Sequence, residues 1–313
     1  MRVFITGMEG FVGSYLAEWA LSQKAEVLGT AFPGSSRKNL QALPLQGVFD
    51  LDITDGAAVD ALLCEVKPDW IFHLAGQSNP ALSFKDPEPT MRANILGTLH
   101  VLESVRRRGA GTRVVIAGSA DEYGCVDEHV RAISETFPLN PQSPYAVSKV
   151  CQDLMGLAYH QQHGVHAVRV RPFNHIGPRQ ALGFVATDFA SQIVAIERGQ
   201  LEPRLETGNL DVVRDFTDVR DIVRGYWSLA KSGKPGEVYN LGSGHGLRIH
   251  QLVDGFLKHA RVPITVHMKH ERIRHERMRK VASIARIRRG TGWKPELPIS
   301  QTLLDILNDW RAR

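Results

Sequence analysis

Cysteine is scarce in this chain, with three in 313 residues (Cys64, Cys125, Cys151) and no Cys-x-x-Cys pair. That excludes a disulfide framework and a thiolate zinc site, and the three are expected to be ordinary buried thiols. No apolar run approaches the ~18–20 residues of a membrane-spanning helix. Met1 is followed almost at once by Val3-Phe4-Ile5, without the basic and then apolar leader of a secreted chain. A cytoplasmic protein with no membrane contact is expected. Internal repeats and low-complexity stretches are also lacking, and 43% apolar with 23% charged residues is the composition of a folded chain.

The basic balance is local. Between residues 269 and 289 lie nine Lys and Arg against Glu271 and Glu276, a local charge of +7 that exceeds the +5 of the whole chain. Such a segment can be a solvated face, a nucleic-acid patch or a mouth for a small anion, and composition does not choose among them.

The first half alternates β-branched runs with amphipathic stretches. Strands are predicted at Val3–Thr6, Val27–Thr30, Val48–Leu51, Trp70–Leu74, Arg113–Ala117 and Ala167–Val170, and helices near 11–23, 56–66, 90–108 and 145–163. Strict alternation implies right-handed crossovers and an α/β, Rossmann-type doubly wound parallel sheet. After Arg171 the texture turns rich in Gly, Pro and charge. The expected division is a dinucleotide-binding domain over 1–171, rejoined by roughly 210–245, and a smaller C-terminal substrate-binding lobe over 172–313. Ligands of such sheets sit in the crevice at the strands' carboxyl ends.

The first strand runs into Gly7-Met8-Glu9-Gly10-Phe11-Val12-Gly13 and then a helix. The glycines allow a tight turn and close approach of a pyrophosphate to the helix amino end, which makes Gly7, Gly10, Phe11, Val12 and Gly13 candidate cofactor residues. The second strand ends without the carboxylate that usually takes the adenosine ribose. Thr30, the following serines, Arg37 and Lys38 instead surround the expected position of a ribose phosphate, so NADP(H) is preferred and NAD(H) possible.

The Gly-x-x-Gly-x-x-Gly spacing resembles the extended, sugar-nucleotide-modifying branch of the short-chain dehydrogenase/reductase superfamily. By that resemblance Asp52 and Ile53 border the adenine, Leu74 and Ala75 in His73-Leu74-Ala75-Gly76 run beside the pyrophosphate, and Asn94 is chiefly structural. Tyr145 and Lys149, at i and i+4 of Tyr145-Ala146-Val147-Ser148-Lys149, share one helix face. A lysine there can stabilise a phenolate whose ordinary pKa lies near 10. Ser119, four residues before Tyr123-Gly124, stands where the family carries its catalytic hydroxyl and would donate to the substrate oxygen.

Arg171-Pro172-Phe173-Asn174-His175-Ile176-Gly177-Pro178-Arg179-Gln180, Gly183-Phe184-Val185, Gly208-Asn209-Leu210, Arg214-Asp215-Phe216-Thr217-Asp218 and Gly292-Trp293-Lys294-Pro295 resemble the GDP-4-keto-6-deoxy-D-mannose reductases, which form GDP-D-rhamnose and are related to GDP-mannose 4,6-dehydratase. The resemblance implies that Ser78, Ser119, Asn174, Val185, Arg214 and Arg274 bind a GDP-linked 6-deoxy-4-keto sugar, with Arg272 and Arg277 as alternatives to Arg274. A guanidinium suits a diphosphate because it donates two parallel hydrogen bonds. The basic cluster then reads as an arginine-lined mouth, and no nucleic-acid partner is expected. No metal is expected either, and His175 reads as a hydrogen-bonded structural residue.

The expected activity is NAD(P)H-dependent reduction of the sugar C4 ketone, with Tyr145 giving the proton, Lys149 lowering its pKa and Ser119 polarising the carbonyl. The expected assembly is a homodimer through the helices near 90–108 and 145–163. A 4,6-dehydratase is the enzymatic alternative, because Asp121 stands where such enzymes carry an acid/base Glu. A non-catalytic dinucleotide sensor is an alternative of another class, disfavoured by the presence of both Tyr145 and Lys149.

Overall fold

The computed structural model describes residues 1–109, 111–268 and 279–313. Its strands in chain order are β1 (Arg2–Thr6), β2 (Glu26–Ala31), β3 (Gly47–Asp50), β4 (Trp70–His73), β5 (Arg113–Ala117), β6 (His166–Pro172), β7 (Asn174–Ile176), β8 (Arg204–Thr207), β9 (Val213–Asp218), β10 (Val238–Leu241), β11 (Gly246–Arg248), β12 (Thr265–Met268) and β13 (Arg279–Lys280). The helices are α1 (Phe11–Ser22), α2 (Gly56–Val66), α3 (Pro80–Lys85), α4 (Pro87–Met91), α5 (Gly97–Arg108), α6 (Pro144–His163), α7 (Val185–Glu197), α8 (Val219–Ser232), α9 (Ile249–Leu257), α10 (Ala285–Thr291) and α11 (Ile299–Ala312).

Seven strands form one parallel sheet in the order β10-β6-β5-β4-β1-β2-β3. Their Val- and Ile-rich runs suit strands covered on both faces. Val114, Val115 and Ile116 of β5 are fully buried. Side chains of α1 and α8 share one core with the sheet, and those of α2 and α5 share a second core with its other face. The doubly wound sheet expected from the alternation is therefore present. Strand order reverses between β1 and β4, which opens the ligand crevice beyond their carboxyl ends.

After β6 the chain builds a second layer. Strand β9 pairs with β7, β11 and β13, β12 pairs with β8, and α7, α9 and α11 close over a separate apolar cluster around Phe189, Leu252, Phe256 and Ile306. Residues 219–241 return to the main layer, where α8 covers the sheet and β10 pairs with β6.

The cysteines are free, but they are not all buried: Cys64 is exposed and the other two are half-buried. In α2 the inward face is set by Val59, Leu62, Leu63 and Val66. Cys64 falls on the opposite side of the 3.6-residue repeat.

Candidate active site

Gly7 leaves β1 with φ +66°, and a Cβ there would meet Ala75 Cα at 2.9 Å; a Cβ on Gly13 would meet Gly7 O and clash with Met8 at 2.8 Å. Only glycines let the loop fold this tightly against β4. The amino end of α1, at Gly10, has no side-chain cap and no acidic residue in its first turn. A diphosphate fits such a cradle, since backbone N–H groups and the helix dipole both favour an anion. The cradle is one wall of a cavity of about 650 Å³.

Gly7, Gly10, Phe11, Val12 and Gly13 all face this cavity, as do Thr30, Asp52, Ile53, Leu74 and Ala75. Two threonines brace the floor. Thr30 Oγ1 accepts from Gly7 N–H at 3.2 Å, and Thr6 Oγ1 accepts from the N–H groups of Leu74 and Ala75 at 3.1 and 3.0 Å. His73 bridges Thr6 and Thr98, at 2.9 Å on each ring nitrogen. Burial, helped by the charge of Lys149, pushes its pKa down to about 3, so it stays neutral. Asp52 accepts from the Thr54 N–H and hydroxyl through Oδ1.

Asn94 is fully buried. It lies on a π-helical turn, Arg92–Leu96, between α4 and α5, and its amide joins Gln77 to Ser148 of α6. Arg37 is not on the cavity wall. It forms an ion pair with Asp50 at 2.5 Å. Glu9 and Phe32, which sequence reasoning passed over, do line the cavity.

Further along the same wall stand Ser119, Tyr145 and Lys149. The Ser119 backbone is fixed by a capping box: its N–H donates to Glu122 Oε1 at 2.7 Å, and its hydroxyl accepts from Asp121 N–H at 3.1 Å. Tyr145 opens α6 behind the Ser143–Pro144 start, and its N–H donates to Ser83 Oγ of α3 at 3.1 Å. Lys149, one turn on, donates to Ala117 O at 2.9 Å, with Nζ 5.8 Å from the Tyr145 ring centre. All three side chains are buried.

Burial raises the Tyr145 pKa above its ordinary 10, against a smaller lowering by the Ser119 hydrogen bond. The net direction is opposite to the lowering expected from Lys149, because removing a phenolate from water costs more than the site returns. Burial also draws Lys149 down to about 8, against the charge of Glu122. Behind them Arg171 pairs with Glu122 at 2.8 Å and with Asp153.

The expected substrate residues divide. Ser78 and Asn174 face the main cavity. His175 also faces it, with Nδ1 2.9 Å from Phe173 O and its ring stacked on Phe11 at 6.0 Å. Val185 is not on that wall but packs on the apolar cluster of α7, and Phe184 takes the cavity position instead. Arg214 lines a neighbouring cavity of about 410 Å³. Asp121 borders both cavities. Lys280, paired in register with Arg214 across β9 and β13, holds Asp121 Oδ1 at 2.7 Å. Sequence reasoning missed Lys280, whose only signal is membership of the basic cluster. Arg272, Arg274 and Arg277 lie outside the described residues.

GDP-6-deoxy-D-mannose reductase of Pseudomonas aeruginosa is 36% identical over 313 residues, spanning 100% of this chain and 98% of that protein. A GDP-mannose 4,6-dehydratase of Vibrio cholerae is 33% identical over 276 residues, 84% of this chain and 73% of its own length. The solved structure of RMD from Pseudomonas aeruginosa complexed with NADPH matches with a TM-score of 0.88 and 35% identity, over 100% of this chain and 99% of that one. The family described as GDP-mannose 4,6 dehydratase matches residues 4–306, and the chain belongs to it.

Proposed function

We propose that the protein reduces the C4 ketone of GDP-4-keto-6-deoxy-D-mannose to GDP-D-rhamnose with NADPH or NADH. The observation that carries the reading is the placement of Ser119, Tyr145 and Lys149 on one buried wall of the cavity that the glycine cradle opens. Support also comes from the full-length likeness to a GDP-6-deoxy-D-mannose reductase and to a structure complexed with NADPH.

The cofactor, when bound, supplies the hydride to C4. The chain's part is to give the proton and hold the geometry. Tyr145 is a general acid, and its raised pKa keeps the proton on the phenol until a more basic alkoxide develops beside it. Ser119 donates a hydrogen bond to the same oxygen. Lys149 stands beneath Tyr145 as the nearby positive charge and holds the nicotinamide ribose. Ser78 and Asn174 orient the sugar, and Arg214 takes the diphosphate.

Water elimination needs a group that takes up and returns a proton at C5 and C6. Asp121 is the residue available, but its carboxylate is engaged by Lys280 at 2.7 Å. That favours reduction over dehydration, with Asp121 orienting the sugar. A homodimer through α5 and α6 accords with Val147 and Leu154, apolar and exposed on α6. A cytoplasmic location accords with the absence, among the described residues, of a helix long and apolar enough to cross a membrane.

The test is incubation with GDP-4-keto-6-deoxy-D-mannose and NADPH. The expected result is loss of nicotinamide absorbance in proportion to GDP-D-rhamnose formed. Dehydration of GDP-mannose without net loss of NADPH would replace this reading by the dehydratase one.

A further inference from the structure

Dinucleotide sites commonly read the adenosine ribose with a carboxylate at the end of the second strand. Here that strand ends in Thr30-Ala31-Phe32 and offers none. The structure supplies a carboxylate to the same place from another element. Glu9, between the first two loop glycines, extends across the end of β2, where its Oε1 accepts from Phe32 N–H at 2.8 Å and from the Ser35 hydroxyl at 3.2 Å. It lies on the wall of the main cavity beside Thr30 and Phe32. Its Oε2 is buried and has no hydrogen-bond partner among the described residues.

A buried carboxylate oxygen without a donor is unfavourable and is relieved by a ligand that brings one. On the dinucleotide reading above, the donor arriving at the end of β2 is a ribose hydroxyl. A 2′-phosphate arriving there brings up to about two negative charges and no comparable donor. Arg37, the cation expected to receive such a phosphate, is turned onto Asp50 and Val48 O instead.

We infer that Glu9 is a specificity-determining residue: it accepts from the adenosine ribose hydroxyl and opposes a 2′-phosphate, so that one side chain of the glycine loop restrains the use of NADPH relative to NADH. The inference rests on the nicotinamide-dinucleotide reading but not on the identity of the sugar.

The experiment is a titration of wild type, Glu9→Gln and Glu9→Ser with NADPH and with NADH, followed by nicotinamide fluorescence without any sugar, and repeated by displacement with 2′,5′-ADP and ADP. Glu9→Gln keeps the acceptor to Phe32 and removes the charge. Glu9→Ser removes the reach as well. The expected outcome is a rise of at least about tenfold in affinity for NADPH relative to NADH in both variants, equivalent to about 1.4 kcal/mol. Because the ratio is taken within one protein, a general loosening of the loop cancels. A ratio that moves by less than about twofold in both variants, with both cofactors still bound, overturns the inference. Failure of wild type to bind either cofactor is a different result, which removes the dinucleotide reading itself.

Discussion

The two ends of the cleft are built differently. Around Tyr145 the groups are dry and held by buried hydrogen bonds: the Lys149 ammonium by the Ala117 carbonyl, the Ser119 N–H by the Glu122 carboxylate, and the Tyr145 N–H by Ser83 Oγ at the helix start. Around Arg214 they are wetter and held by charge, with the Asp121 side chain 39% exposed and fixed by Lys280. Buried hydrogen bonds are little affected by salt, whereas exposed ion pairs contribute little and are screened. The reaction end is therefore expected to tolerate almost no change, and the sugar-phosphate end to tune affinity in small steps.

The sharpest break of that contrast is Tyr145→Phe. Removing one oxygen should lower the reductase rate roughly 10²–10⁴-fold with cofactor affinity nearly unchanged, as read by steady-state kinetics and fluorescence titration. Near-normal turnover would take the proton donor away from Tyr145.

At the other end, Arg214→Ala should act on binding. A half-buried guanidinium that holds a diphosphate contributes about 2 kcal/mol, so KM for the nucleotide sugar should rise roughly thirtyfold with a smaller change in kcat. A change confined to kcat would move Arg214 from the diphosphate to the reacting centre.

The dry end also makes a prediction in pH. His73 has a folded pKa of about 3 against 6.5 unfolded, so the unfolded chain binds a proton that the native state refuses. Its contribution is fully present above pH 6.5 and is lost as pH falls from there toward 3. Between pH 6.5 and 5 this amounts to roughly 2 kcal/mol. Urea unfolding should show that loss in wild type and a shallower slope in His73→Gln. An equal slope in both would assign the acid sensitivity to other groups.

The smallest effect is expected where the ends meet. Asp121→Asn should keep reductase activity within about tenfold, or 1.4 kcal/mol, because orienting a sugar needs an acceptor and not a proton carrier. A collapse of activity would place Asp121 in the chemistry.

Legibility followed sequence separation. The strands, the glycine loop and the Tyr145–Lys149 pair are local patterns, and each lies where its residues placed it. The stretch 90–108, read as a single helix, is a continuous helical run of α4, a π turn and α5, and from the π turn Asn94 joins Gln77 to Ser148. Lys280 beside Asp121 was invisible, since the pair spans 159 positions and depends on the register of β13 against β9. Phe184 rather than Val185 faces the cavity, because Phe184 is the extended residue before α7 whereas Val185 opens the helix and packs on its apolar cluster. Arg37 pointed to the right region, but a neighbouring carboxylate on β3 captured it.

The return of β10 to the sheet bears on how the protein is made. Until residues 238–241 have been synthesised, β6 presents an unpaired edge, with Val168 and Val170 dependent on a layer that is still incomplete. All of β7, β8 and β9 emerges from the ribosome in that interval, and their own core awaits α9 and α11, later still. The sheet therefore gains its last strand before the second core has its own closing helices. A chain interrupted between β6 and β10 is thus left with an unpaired β6 edge, open to pairing with another chain.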